Sequence, residues 1–272
     1  MKKKPSYSSC AVVTGAGGGI GRSFAEEIAK RGGRVICADV NSVSANETAK
    51  KICSLFGDDA AAPFVCDVSR KEDVDCLARY TEDWFGCPAS LIINNAGVGA
   101  GGTALEDTSM EDWQWVLGIN LWGVIYGCQA FLPQIKKSDH GGIINVCSMA
   151  SFASAPKMAP YNASKAAVLS ITETLAAELS GSEVKVSALC PAWVKTNIAQ
   201  EGRISGDASK NAEKLMKWVG VNPGKIAVYA LDAMDNGKLY VLPQIDGRVV
   251  WRLKRYAPDY YAKSVGLLNG LF

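Results

Sequence analysis

A chain of 272 residues, 48% hydrophobic and 21% charged, lies near the upper size for one continuous core and has the composition of a soluble globular protein. Its net charge of +2 leaves no basic footprint for nucleic acid, which is excluded as a partner. Nine cysteines without C-x-x-C spacing and a single histidine, His140 in a Ser-Asp-His-Gly-Gly loop, argue against a disulfide framework, a metal site and Ser-His-Asp chemistry.

The chain opens with Met1-Lys2-Lys3-Lys4-Pro5, but the following apolar run, Cys10-Ala11-Val12-Val13, is too short for an export segment. No stretch approaches the roughly 18 apolar residues of a membrane span, so a cytoplasmic protein is expected. Apolar strand-like runs are predicted at residues 11–14, 34–39, 63–67, 91–94, 142–148, 185–190 and 238–242. Helical patterns lie between them at 19–31, 45–56, 71–85, 110–136, 161–180 and 223–236. Continuous apolar strands alternating with helices predict an α/β fold, a doubly wound parallel sheet of Rossmann type with helices on both faces, over residues 1–272 as one domain. Two segments break the rhythm. Residues 192–221 contain no obvious strand and read as a loop over a substrate site; residues 244–272 form an aromatic and basic tail.

The first strand runs into Thr14-Gly15-Ala16-Gly17-Gly18-Gly19-Ile20-Gly21 and then a helix. Glycines there let backbone approach a pyrophosphate, and the helix N-terminus offers N–H donors. A tight turn needing glycine for packing is the plainer alternative. The second strand ends in Asp39, at the distance expected for a carboxylate on the adenosine ribose. Asp39 would repel a 2′-phosphate, which favours NAD over NADP, although Arg22 nearby could assist a phosphate and Asp39 could instead cap the next helix.

Five motifs in order carry a family resemblance: Thr14-Gly15-x-x-x-Gly19-x-Gly21, Asn94-Asn95-Ala96-Gly97, Asn120, Ser148 and Tyr161-x-x-x-Lys165. Together they resemble the short-chain dehydrogenase/reductase family, in its short single-domain branch. The chemistry of the residues agrees. Tyr161 and Lys165 are four apart on one helix face, and an adjacent ammonium, like oxidised nicotinamide, stabilises a phenolate. Tyr161 is therefore expected to move the proton between a secondary alcohol and its ketone.

The resemblance implies further roles. Ser148 would hold the substrate oxygen, Lys165 the nicotinamide ribose, and Asn120 a water relay to Lys165. Gly15, Gly17, Gly19, Ile20 and Gly21 would form the pyrophosphate turn. Asp67 and Val68 would meet the adenine, and Asn94, Ala96 and Gly97 would contact the adenosine side and stabilise the central sheet, although a structural turn explains the last three almost as well. Where the family often has Pro-Gly, this chain has Pro191-Ala192-Trp193-Val194-Lys195-Thr196; Val194 and Thr196 match positions that contact the nicotinamide carboxamide. Met149 and Trp193 are candidate substrate contacts, with Val98, Gly99, Phe152, Pro156, Met216, Trp218 and Val219 as further pocket candidates. They imply a neutral, apolar or aromatic alcohol or ketone. A homodimer or homotetramer pairing through the Met110 and Tyr161 helices is also implied. The tail, with Arg248, Arg252, Lys254 and Arg255 among Trp251, Tyr256, Tyr260 and Tyr261, either packs over the substrate mouth or a subunit interface, or attaches to a membrane surface. Rival functions are a non-catalytic dinucleotide sensor, an NADP-dependent carbonyl reductase and a sugar-nucleotide epimerase.

Overall fold

The computed structural model describes residues 4–267, so Met1–Lys3 of the charged start and the last five residues of the tail lie outside it. The first half of the chain builds β1 (Cys10–Thr14), α1 (Gly19–Lys30), β2 (Arg34–Asp39), α2 (Ser42–Phe56), β3 (Ala61–Val65), α3 (Lys71–Phe85), β4 (Leu91–Asn94) and β5 (Ala100–Gly101). There follow α4 (Met110–Leu117), a π-helical turn (Gly118–Trp122), α5 (Gly123–Ile135), β6 (Gly142–Val146), α6 (Ala150–Ala153), α7 (Ala159–Glu178) and β7 (Lys185–Leu189). The rest comprises β8 (Arg203–Ile204), α8 (Gly206–Val219), α9 (Pro223–Asp235), β9 (Tyr240–Val241), α10 (Ile245–Tyr256) and α11 (Pro258–Gly266).

Seven strands form one parallel sheet in the order β3-β2-β1-β4-β6-β7-β9. Successive side chains of a strand point to opposite faces, so a sheet covered on both sides needs unbroken apolar runs. Val12, Ile36, Ile92 and Ile143 pack on one face with Leu77, Phe131 and Val168. Val13, Val35, Ile93 and Ile144 pack on the other with Phe24, Ile52 and Leu231. Each such side chain contributes about 1.5–3 kcal/mol by leaving water.

Several boundaries differ from the sequence expectation for identifiable reasons. The helix expected from residue 45 starts at Ser42, because the Asn41 side chain caps it by accepting from Val43 and Ser44 N–H at 3.0 and 3.1 Å. Asp39 therefore has no capping duty. The third strand lies two residues earlier than expected, with Pro63 inside it; β3 is an edge strand, where a missing N–H is tolerated. The helix expected over 110–136 carries the π turn, which places an extra residue in its middle.

That composite helix, Met110–Ile135, is 26 residues long and contains an 18-residue window of mean hydropathy 1.4, which corrects the expectation that no segment is long and apolar enough to cross a membrane. Its apolarity serves the core: Val116, Val124, Cys128, Phe131 and Ile135 are buried, and the helix packs on α3 and α7. The segment 192–221 is not a plain loop either. It contains β8, which pairs with β5 in a separate two-stranded sheet, and the helix α8.

Candidate active site

The sheet grows outward from β1 through β2 to β3, then resumes on the other side of β1 with β4. This reversal opens a crevice at the carboxyl ends of the strands. Residues just beyond β1, β3, β4, β6 and β7, with Asp39 at the end of β2, line one cleft of about 1030 Å³.

At one end of the cleft lies the glycine-rich turn. Gly15, Gly17, Gly18, Gly19 and Ile20 line the wall, and Gly19 holds a left-handed φ of 51° that other residues rarely adopt. A side chain on Gly18 would meet no atom within 4 Å, and Gly18 is the N-cap of α1, which has no side-chain cap and no acidic residue in its first turn. Its leading N–H groups and positive dipole end thus face the cleft without competition from the protein's own acceptors. Gly21 is not in the wall. A Cβ there would collide with the Gly15 carbonyl oxygen, so this glycine serves the packing of helix against turn. Asp39 lines the cleft, its carboxylate accepting from Gly17 N–H at 2.8 Å and Asn41 N–H at 2.9 Å. Arg22 also borders this end, but its guanidinium donates to Gly17 O and to Thr48 Oγ1 and lies 3.7 Å from Glu47.

Asp67 and Val68 follow β3 in the wall, Asp67 accepting from the Ser69 N–H and hydroxyl. Asn94 takes the sheet-stabilising part of its expected role and not the cofactor-contacting part. As the last residue of β4 it points into the sheet, where it is buried and donates to Asn145 Oδ1 at 2.8 Å. The next residue, Asn95, part of the motif but given no role of its own in sequence, lines the cleft instead. Its amide donates to Thr14 O at 2.8 Å while its own N–H reaches Thr14 Oγ1 at 3.0 Å, tying β1 to β4 at the crevice. Ala96 and Gly97 complete this wall.

The middle of the cleft holds Ser148, Tyr161 and Lys165. Ser148 follows β6, and its hydroxyl accepts from Ala150 N–H at 3.1 Å and is hydrogen-bonded to Tyr161. Tyr161 and Lys165 lie one turn apart on α7, the ammonium 6.0 Å from the phenol ring centre. Lys165 Nζ is buried and donates to Val146 O at 2.9 Å. Burial pushes the lysine down to about 8, with the Cys147 and Cys190 thiols acting in the opposite sense. Burial pushes Tyr161 above the ordinary phenol value, with the Ser148 hydrogen bond opposing it. Desolvation thus sets the direction for Tyr161 in the cleft without a dinucleotide, and the Ser148 hydrogen bond is what opposes it. Asn120 sits in the π turn, fully buried and outside the wall; its amide accepts from Val98 N–H at 2.8 Å and donates to Val98 O at 2.9 Å. It nonetheless converges with the lysine, since a Cβ on Gly97 would stand 3.0 Å from Asn120 Oδ1 and 3.3 Å from Lys165 Nζ.

The other end is apolar. Met149 and Trp193 line it as expected, along with Val98, Gly99, Pro156 and Met216. Phe152 does not; it turns into the core under α6. Trp218 and Val219 do not either, Trp218 being 90% exposed on the outer side of α8. Trp115, Met158, Ile198 and Ile204 join the wall without having been singled out, and so does Glu201, raised by burial and by the charge of Asp39. Pro191, Val194 and Thr196 border the passage between the two ends, Thr196 lying against Gly19. Beside this end, the tail folds as α10 and α11: the Tyr261 hydroxyl donates to Ala153 O at 2.7 Å and Lys254 to Ser154 Oγ at 3.1 Å. Arg255 stacks over Trp251, 4.4 Å from its ring centre.

The family model for short chain dehydrogenases matches residues 9–205. The chain belongs to that family. A crystal structure of a short-chain dehydrogenase/reductase from Burkholderia phymatum in complex with NAD superposes with a TM-score of 0.85 at 32% identity, covering 92% of this chain and 94% of that one. The probable oxidoreductase EphD of Mycobacterium tuberculosis is 34% identical over 83% of this chain, but the chain spans only 39% of that protein's length. The 2-(R)-hydroxypropyl-CoM dehydrogenase of Xanthobacter autotrophicus is 32% identical over 71% of this chain and 77% of its own. The short-chain dehydrogenase family binds nicotinamide dinucleotides.

Proposed function

We propose that the protein transfers hydride between NAD and a secondary alcohol or its ketone, with Tyr161 as proton carrier. One observation carries this reading: Ser148, Tyr161 and Lys165 meet at the middle of the cleft, between a glycine-rich turn and an apolar chamber. The dinucleotide would lie with its pyrophosphate at the start of α1, its ribose on Asp39, its adenine near Asp67 and Val68, and its nicotinamide between Val194, Thr196 and Lys165. When bound, it supplies the hydride acceptor or donor. Ser148 then holds the substrate oxygen and Tyr161 takes the alcohol proton in oxidation or returns it in reduction. Asn120, braced on Val98, supports water near Lys165.

NAD is favoured because Asp39 adjoins Gly17 and because Arg22 is spent on Gly17, Thr48 and Glu47. Trp115, Met158, Trp193, Ile204 and Met216 support an apolar or aromatic substrate. A homo-oligomer through α5 and α7 fits the exposed Trp122, 48% accessible on the composite helix. The test follows reduction of NAD and of NADP over secondary alcohols from short aliphatic to polycyclic. Turnover with NAD that vanishes in Tyr161→Phe supports the reading; turnover with NADP alone defeats the argument from Asp39; binding of both cofactors without turnover favours a sensor.

A further inference from the structure

Gln244, the first residue of the tail, is engaged at both ends of its side-chain amide. Its Oε1 accepts from Ala192 N–H at 3.0 Å and its Nε2 donates to Trp193 O at 2.9 Å. Two consecutive backbone units of the cleft wall are thereby held by one side chain 51 to 52 residues away. The same stretch is gripped from its other side, where Val221 N–H reaches Trp193 O at 3.0 Å and Lys195 N–H reaches Val221 O at 3.1 Å. The Trp193 carbonyl accordingly accepts from two donors. Gln244 is itself anchored, because Arg248 in the first turn of α10 donates to Leu242 O at 2.8 Å and Pro243 O at 3.2 Å. The held segment continues directly into Val194 and Thr196, and Thr196 packs against Gly19 of the glycine-rich turn.

We infer that Gln244 is a positioning residue for the nicotinamide end of the dinucleotide, and that the tail is in this way a working part of the cofactor site. The inference rests on the proposed orientation of NAD in the cleft. Gln244 touches neither cofactor nor substrate; it acts by fixing where the 192–196 backbone runs. A backbone free to drift would present Val194 and Thr196 in many positions, and the ligand would have to order them on binding. The adenosine contacts lie on β2 and the turn after β3, away from the held segment, which meets the pyrophosphate turn only where Thr196 lies against Gly19.

That separation gives the test. Dissociation constants are measured for NADH, by nicotinamide fluorescence, and for ADP-ribose, which has the adenosine and both phosphates but no nicotinamide, by calorimetry. Gln244→Met keeps side-chain volume and removes both hydrogen bonds. It should weaken NADH roughly tenfold and leave ADP-ribose within about twofold of wild type. Gln244→Glu keeps the bond from Ala192 and loses the one to Trp193, and should fall at least as far as half of that effect on a logarithmic scale. Equal losses for both ligands would make Gln244 a general stabiliser and overturn the inference, as would unchanged NADH binding in both variants. Wild-type protein that binds neither ligand would overturn the cofactor reading itself, an outcome separate from the other two.

Discussion

At the glycine-rich end of the cleft, the wall follows directly on strand termini: Gly15 to Ile20 after β1, Asp39 ending β2, Asp67 after β3, Asn95 to Gly97 after β4. At the Trp193 end the wall is assembled from distant pieces, with hydrogen bonds that span 52 residues from Ala192 to Gln244 and 108 from Ala153 to Tyr261. The first end inherits its geometry from a sheet whose strands are buried on both faces. The second depends on a two-residue pairing of β5 with β8, one amphipathic helix and the tail. A family can thus keep one end constant and vary the other without touching the core, and substitutions at the two ends should differ in kind.

The largest effect is expected at the seam between them. Tyr161→Phe should lower turnover by at least about 10²–10⁴ with every substrate tried, while NADH still binds. A variant that keeps turnover with some substrates would mean that the seam belongs to the variable end. Asp39→Ala should weaken NAD by roughly 10- to 100-fold, the loss of charge-assisted hydrogen bonds to a ribose, and improve NADP relative to it; titration of both cofactors measures the ratio. If the ratio stays put, the adenosine end is not set by the strand terminus.

Lys165 supplies a third effect. Its value near 8 means that kcat/KM for ketone reduction should decline above about pH 8, as the ammonium beside Tyr161 is lost. Lys165→Arg should move that decline upward, since guanidinium does not titrate there. The same burial has a stability sign. A lysine depressed on folding leaves the folded state with fewer protons between about 8 and 10.5, so this group's cost is full below 8 and fades as pH rises toward 10.5. Lys165→Met should therefore stabilise the fold at neutral pH, by roughly 1–3 kcal/mol, in thermal unfolding. The smallest effect belongs to the variable end. Trp193→Ala should change kcat/KM less than about tenfold, downward for small substrates and upward for bulky ones. A uniform loss across substrates would erase the contrast between the ends.

The strand-terminus end was the legible one, because a glycine turn after an apolar run and an acidic residue ending the next strand are local patterns. The errors there are one residue wide. Asn94 and Asn95 are neighbours of the same type, and only the register of β4 against β6, which pairs Asn94 with Asn145, decides which of them faces the cleft. Gly21 has the right spacing, and the close approach of the Gly15 carbonyl is what requires glycine there. At the other end the signals are long-range. Residues 203–204 form a strand only because Ala100 and Gly101 lie opposite them. Phe152 and Trp218 are apolar candidates whose direction follows from how α6 and α8 are docked, and Gln244 carries no motif. A sequence displays the lysine four residues from Tyr161 but not the depth of burial, which raises the phenol here.

The π turn at Gly118–Trp122 sets a rule for the length of this chain. An α-helix advances about 100° per residue, so a wide turn is one surplus residue accommodated without breaking the helix. Removing a single residue there would let the turn close as regular α-helix and rotate α4 about 100° against α5. Asn120 would then leave the Val98 backbone, or Val116 would leave the core. Substitutions among the partly exposed neighbours are cheap by comparison. Insertions and deletions in this one turn should therefore be purged while its side chains drift, a phase constraint on the helix rather than a constraint on its chemistry.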